Sequence, residues 1–193
     1  MIPLWLKIAW TVFVLILIPV YWRHNGPANF LWFSDIALLA LTVALWTENR
    51  IIASTMAVSV LFPEIVWNIA YFGRLLTGYK FAGLAAYMWD ASSPVYLRGL
   101  SLFHVFLPVA LVWLLWRLGY DPLGLRIATL VVWIVLPITY LASTQTANVN
   151  WVFGINEPQQ WMHPWAWVAV LMIVIPLLVH LPTHFILRAL FTK

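Results

Sequence analysis

A single polar stripe is predicted within the apolar run 97–118. Arg98, Ser101 and His104 recur at intervals of three residues and Pro108 follows after four, so a helix places all of them on one face. An imidazole titrates near neutral pH, which makes His104 the strongest candidate in the chain for a general acid or base. A buried histidine can equally be a hydrogen-bonded packing residue, and that interpretation stays open.

Two carboxylates lie inside other apolar runs. Asp35 follows the segment Asn29–Ser34, and Glu64 stands beside Pro63 and four residues before Asn68. An ionisable group in a span costs about 2.5–3.5 kcal/mol to insert, so it usually faces the bundle interior and a partner. Each carboxylate is therefore either a structural hydrogen-bonding group or a group suited to proton transfer.

The elements that must position these groups are membrane helices. Of the 193 residues, 64% are apolar, 8% are charged and 14 are Trp, whereas soluble domains carry roughly 25% charged residues. This composition excludes a soluble globular protein. Backbone groups in lipid must pair within the protein, and the alternation of a spanning barrel is absent, so the apolar runs are predicted helices.

The charge balance and the missing residue types exclude several function classes. In a membrane protein, a net charge of +4 mainly sets the orientation in the bilayer and reflects contacts with lipid headgroups. Arg74, Lys80 and Arg98 are among the residues expected to make such contacts. No nucleic-acid partner is predicted. The chain has no cysteine, which excludes disulfides and thiolate catalysis. Nucleotide-binding, zinc-protease and nucleophile-elbow motifs are also absent.

The chain is predicted to be one integral membrane domain, residues 1–193, folded as an all-α polytopic transmembrane helix bundle. The predicted spans are Pro3–Trp22, Asn29–Thr47, Ile51–Phe72, Leu97–Leu118, Gly124–Ser143 and Pro164–Leu187. Between the third and fourth, the longest apolar stretch is Phe81–Trp89, which is too short to cross a hydrocarbon core of about 30 Å as a helix. We therefore expect six spans plus one short re-entrant or interfacial segment. Seven spans, with residues 79–97 crossing, are the alternative.

Charge and depth favour different topologies. Six spans place six cations on the side of the two termini and four opposite, whereas seven spans give seven against three, which fits the positive-inside tendency better. Only the six-span topology places the polar side chains of the spans in one leaflet, where they can share partners; these are Asp35, Glu64, Asn68 and His104. We therefore predict six spans. Both topologies predict a protein of the cell (inner) membrane with a cytoplasmic C-terminus and an extracytoplasmic Asn148–His163 loop.

His180 and His184 have the spacing that could place two imidazoles on one metal ion. No carboxylate is near them in the sequence, so anchoring at the membrane interface is the preferred interpretation. No metal site is predicted, and any cofactor is unknown.

Several short motifs, in a fixed order, resemble those of YwaF-like bacterial integral membrane proteins. They are Ser34–Leu39, Glu48–Arg50, Leu76–Gly78, Leu102–Val105 and Asn148–Gly154, with Pro158, Trp165 and Trp167 downstream. The resemblance covers about residues 29–168, and a group of eukaryotic transmembrane lipid acyltransferases looks related to that family. It implies a role in lipid chemistry with His104 as the family's histidine. Ser34 stands at the position of the family's cysteine and the family's first histidine falls on an apolar or aromatic residue, so acyl transfer through a thioester is excluded there.

Two functions from different classes follow. The first is a membrane protein whose polar outer-leaflet pocket binds a lipid or small amphiphile, or an accessory subunit packed against partner subunits. The alternative is a lipid-processing hydrolase or acyltransferase with the catalytic residues His104, Ser34, Asp35 and Glu64. In the enzyme, His104 is the general base, and Ser34 is either the nucleophile or a group that positions water. Asp35 and Glu64 are the orienting carboxylates, and Asn150 is a donor to the developing oxyanion. The predicted substrate-binding residues are Asn68, Arg98, Ser101 and Asn150.

Overall fold

The computed structural model describes residues 1–80, 83–155 and 157–192. Four positions of the sequence predictions lie outside the described residues: Phe81 and Ala82 in the short apolar stretch, Asn156 in the polar loop, and Lys193, one of the ten cations.

Helices and turns make up the described part of the chain, and it contains no strand. The helices are α1 (Leu4–Asn25), α2 (Phe33–Thr47), α3 (Arg50–Thr77), α4 (Val95–Ser101), α5 (Phe103–Leu118), α6 (Leu123–Ala142), α7 (Pro164–Ile175) and α8 (Leu181–Phe191). α4 and α5 form one rod, Val95–Leu118, and a π-helical turn, Pro176–His180, joins α7 and α8 into another, Pro164–Phe191.

Five helices are long and apolar enough to cross a membrane. They are Leu4–Asn25, Arg50–Thr77, Val95–Leu118, Leu123–Ala142 and Pro164–Phe191. α2 is apolar but shorter, at 15 residues, and a 3-10 turn at Pro27–Leu31 precedes it. The predicted all-helical membrane protein is therefore confirmed at this level.

α1 and α3 both end at a glycine, a few residues beyond the predicted end of the apolar run. α1 continues past Trp22 to Asn25 and stops at Gly26, and α3 continues past Phe72 to Thr77 and stops at Gly78. Gly78 has a φ of 73°, a left-handed conformation that glycine adopts without strain and that commonly terminates helices.

The connection between α3 and α4 contains no helix of spanning length among its described residues. A 3-10 segment, Gly83–Trp89, packs its buried Ala85 and Met88 against Trp67 and Ala70 of α3. The segment thus lies over one end of α3 and α4 and adds no further long helix.

The helix ends gather at two opposite ends of the bundle. At the Glu48 end, the Glu48 carboxylate accepts from the Ile2 backbone, Arg50 pairs with Asp121 at 3.0 Å, and the Tyr120 N–H donates to the Phe191 carbonyl. At the Asn150 end, the loop after α6 contacts the start of α2, and α4 contacts the end of α1. The beginning of α1 and the end of α8 therefore share one end.

α3 is the central helix and packs against α2, α5 and α6. Its small side chains allow close approach, most of all at α6, where a Cβ on Gly124 would lie 2.8 Å from the carbonyl carbon of Ser54. The core of the bundle is consequently built around α3, and so is the polar site.

Candidate functional site

A carboxylate–imidazole pair joins α3 to α5. His104 Nδ1 lies 2.9 Å from Glu64 Oε2 and 3.0 Å from Glu64 Oε1. The Glu64 side chain is 4% exposed and that of His104 is 15% exposed. Glu64 is thus enclosed with its partner, while an edge of the imidazole keeps access to the surface of the bundle.

Asn68 fixes the backbone of both residues. Its side-chain amide donates to the Glu64 carbonyl at 2.8 Å and to the His104 carbonyl at 2.7 Å. The second bond has a clear origin. Within α5, the carbonyl of His104 would pair with the residue four positions later, which is Pro108 and has no N–H. Asn68 supplies the donor that Pro108 lacks, so α3 holds His104 by its ring and by its backbone.

An aromatic stack covers the imidazole. The rings of His104 and Trp67 stack at 4.7 Å between centroids, Trp67 stacks on Tyr71 at 5.1 Å, and Tyr71 meets Trp89 at 5.2 Å. The guanidinium of Arg74 lies 4.4 Å from the centroid of Trp89. The indole of Trp67 covers one face of the imidazole and restricts its rotation.

Asp35 lies near this pair without touching His104. It is 3% exposed in the first turn of α2 and interacts electrostatically with Glu64. The side-chain amide of Asn29 donates to its Oδ1 at 3.4 Å.

Ser101 connects α4 to α1. Its hydroxyl lies 2.7 Å from the hydroxyl of Tyr21 and donates to the Leu97 carbonyl at 3.1 Å. Sequence reasoning missed Tyr21, because a tyrosine one residue before the end of the predicted span Pro3–Trp22 is usual at a membrane interface and does not indicate a polar partner. It also missed Trp67, because a tryptophan next to Asn68 in the sequence does not by itself indicate a contact with His104.

The remaining predicted site residues have other partners. Asn150 donates to the Leu31 carbonyl at 2.7 Å and accepts from the Phe33 N–H, so its amide joins the loop to the start of α2. Arg98 donates to the Met88 carbonyl at 3.1 Å. Ser34 is half-buried in the first turn of α2, and no hydrogen bond links it to His104 in the described structure.

Neither histidine of the last span lies at the surface as interfacial anchoring would require. His180 is 1% exposed, and both of its ring nitrogens lack a hydrogen-bond partner. His184 is also buried, and its Nδ1 forms a hydrogen bond of 2.6 Å with the Tyr120 hydroxyl. No group of three or more metal-ligating His, Asp or Glu side chains forms in residues 1–80, 83–155 and 157–192.

No family model, curated protein or solved structure matches the chain. The resemblance to YwaF-like proteins therefore stays a prediction that rests on the motifs quoted above.

Proposed function

We propose that the chain is a six-span protein of the cell (inner) membrane that binds a lipid or small amphiphile at the Glu64–His104 pair. One observation carries the proposal: two ionisable side chains from neighbouring span-length helices lie in contact, 2.9 Å apart, with the imidazole partly accessible. Because such groups are costly in a bilayer, they mark functional sites more often than surface charges do.

The proposed topology follows the two ends of the bundle. α2 is the sixth crossing, the 3-10 segment Gly83–Trp89 stays at the interface, and the Glu48 end faces the cytoplasm. This orientation puts the described part of the Asn148–His163 loop outside the cell. The Glu64–His104 pair then lies close to the middle of the bundle, because Glu64 is 14 residues from the start of α3 and 13 from its end.

The binding chemistry is that of an imidazole held in place. With Nδ1 engaged by Glu64, the opposite ring nitrogen, Nε2, is the one left to form a hydrogen bond with a ligand headgroup. Asn68 and Trp67 keep the ring in one orientation, which reduces the entropy lost on binding.

Mass spectrometry of the gently purified protein tests this function. Lipids and amphiphiles extracted from the wild type, His104→Ala and His163→Ala are quantified per chain. We expect one amphiphile near stoichiometry in the wild type and in His163→Ala, which alters only an exposed loop residue. It should fall about tenfold or more in His104→Ala, since a hydrogen bond to a charged group is lost. Equal amounts in all three proteins would contradict the proposal, and a stoichiometric protein subunit in its place would favour the accessory role.

One observation favours the lipid-processing hydrolase or acyltransferase as a second candidate. A carboxylate on Nδ1 of an imidazole is the arrangement that orients a catalytic base in hydrolases, and Glu64 has this position on His104. Ser34 would have to approach Nε2 when substrate binds. Release of fatty acid from a phospholipid acyl ester, lost in both His104→Ala and Ser34→Ala, is the result that this candidate requires.

A further inference from the structure

An apolar groove runs along the lipid-facing side of α3 and α5. Its volume is about 870 Å³, and its walls include Leu61 and Ile65 on one side and Val109 and Trp113 on the other. Asn68 lines the groove as well, but its amide nitrogen already donates to two carbonyls. The groove therefore presents hydrocarbon to its occupant and offers little for a polar group to bind.

The groove is long enough for one hydrocarbon chain. On α5 it extends from Val105 to Trp116, which is about 16 Å at 1.5 Å per residue, and on α3 it continues past Asn68 to Phe72. Half of a hydrocarbon core of 30 Å is about 15 Å. The groove therefore accommodates one acyl chain of a lipid that enters at Trp116.

A polar cup adjoins the groove at the Glu48 end. It has a volume of about 270 Å³ and is lined by Trp116, Arg117, Leu118 and the first two residues. Trp116 borders both the cup and the groove, so the two spaces meet at one side chain. The Arg117 guanidinium uses one nitrogen to donate to the Met1 carbonyl at 3.1 Å and keeps its other donors.

The charges around the cup are complementary to an anion. Among the described residues, Glu48 and Asp121 are the acids at this end, and they are ion-paired with Lys7 and Arg50 respectively. Arg117 has no carboxylate within ion-pair distance in the part of the chain that the structure describes. A tryptophan beside an arginine at the end of a span is also the usual composition of the headgroup region.

We propose that this composite site binds one anionic glycerophospholipid, with the phosphate headgroup at Arg117 in the cup and one acyl chain in the α3–α5 groove. The headgroup position at Arg117 lies at the opposite end of α5 from His104, whereas the groove reaches Asn68 and Val105 beside the Glu64–His104 pair. Charge selects the headgroup, and the length of the groove accommodates the chain.

Native mass spectrometry with added lipid tests the headgroup half of the proposal. The protein is titrated with dioleoyl phosphatidylglycerol or dioleoyl phosphatidylcholine, and the occupancy of the first bound lipid is measured. We expect phosphatidylglycerol to be preferred, and Arg117→Gln to weaken its binding about fivefold, which corresponds to the attraction of one basic residue for an anionic headgroup. Arg126→Gln is the matched control, because Arg126 is an exposed arginine on α6 that lines neither space. Equal affinity for the two lipids, or equal losses in the two variants, would overturn the assignment.

A groove-filling variant tests the acyl-chain half. Val109 is 67% exposed, so Val109→Trp fills the groove without entering the core, and Val43→Trp on α2 is the matched control at an exposed valine outside the groove. We expect Val109→Trp to abolish the first phosphatidylglycerol adduct and Val43→Trp to retain it, with both variants melting as the wild type does. Retention of the adduct in Val109→Trp would refute the proposal. A dimer of the wild type that Val109→Trp dissociates would also refute it, because the groove's occupant would then be a second copy of the chain.

Discussion

Replacing one member of the Glu64–His104 pair should destabilise the bundle far more than replacing both. The contact is 2.9 Å long and the two side chains are 4% and 15% exposed, so the rules for buried pairs apply rather than those for surface pairs. Removing one partner of a buried pair leaves an uncompensated charge and costs about 3–5 kcal/mol, whereas apolar replacement of both is often neutral. Because His104 keeps some access to its surroundings, we expect Glu64→Leu and His104→Leu each to cost about 3 kcal/mol. The double variant should lie within about 1 kcal/mol of the wild type.

A double-mutant cycle measures this coupling. The free energy of unfolding is obtained for the wild type, both single variants and the double variant from far-UV circular dichroism during SDS titration in mixed micelles. The stated costs give a coupling of about 6 kcal/mol, well above the limit of about 0.5 kcal/mol for independent sites. Glu64→Leu combined with Asn150→Ala is the control cycle, because Asn150 shares no hydrogen-bond partner with Glu64. Additive costs in the Glu64–His104 cycle would refute the claim that the two side chains are an interacting pair.

Three other changes probe the elements around the site, each in the same unfolding assay. Asn150→Ala should cost about 1–3 kcal/mol, because the start of α2 loses the amide that joins it to the loop; a neutral result would show that water replaces it. Gly124→Ala should cost about 1–3 kcal/mol, since its Cβ would lie 2.8 Å from the Ser54 backbone and push α6 away from α3; an unchanged free energy would mean that the helices separate freely. The backbone N–H of Ile2 holds the pKa of Glu48 below its usual value of 4.5, so its stabilisation is present above that pH and is lost on acidification. Glu48→Gln should therefore flatten the acid limb of the stability profile, and an identical pH dependence would contradict this account.

The helices were largely predictable because spanning a membrane restricts the sequence so strongly. Apolar runs of sufficient length predicted every long helix of the described structure, and the described residues of the short stretch that ends at Trp89 form a 3-10 segment rather than a helix of spanning length. The helix ends were less predictable, because α3 extends to Gly78 through Arg74 and Thr77, which hydropathy alone places outside the helix.

For the site residues, the sequence predicted how deep each side chain lies in the bundle but not which side chains are in contact. Counting residues from the helix ends places Glu64 and His104 in one half of the bundle, and the structure brings them into contact. The orientation of each helix about its axis decides which neighbours meet, and one sequence contains little information about it. Thus neither the stack of Trp67 on His104 nor the use of Asn150 at the start of α2 followed from spacing.

Prolines link the fold to the site through one physical rule. Each proline inside a helix leaves the carbonyl four residues earlier without its usual donor, and lipid offers no water to replace it. Pro108 leaves the His104 carbonyl free, and Asn68 of α3 donates to it at 2.7 Å; Pro176 leaves the Met172 carbonyl free, and the Trp133 indole N–H of α6 donates to it at 3.0 Å. In both places a neighbouring helix supplies the missing donor, so a local defect becomes a contact between helices. Because the same helix, α3, supplies both Asn68 and Glu64, α5 cannot rotate at His104 without breaking its backbone contact and its side-chain contact together. The imidazole is therefore held in one orientation, which is the ordered state that the proposed binding of an amphiphile requires.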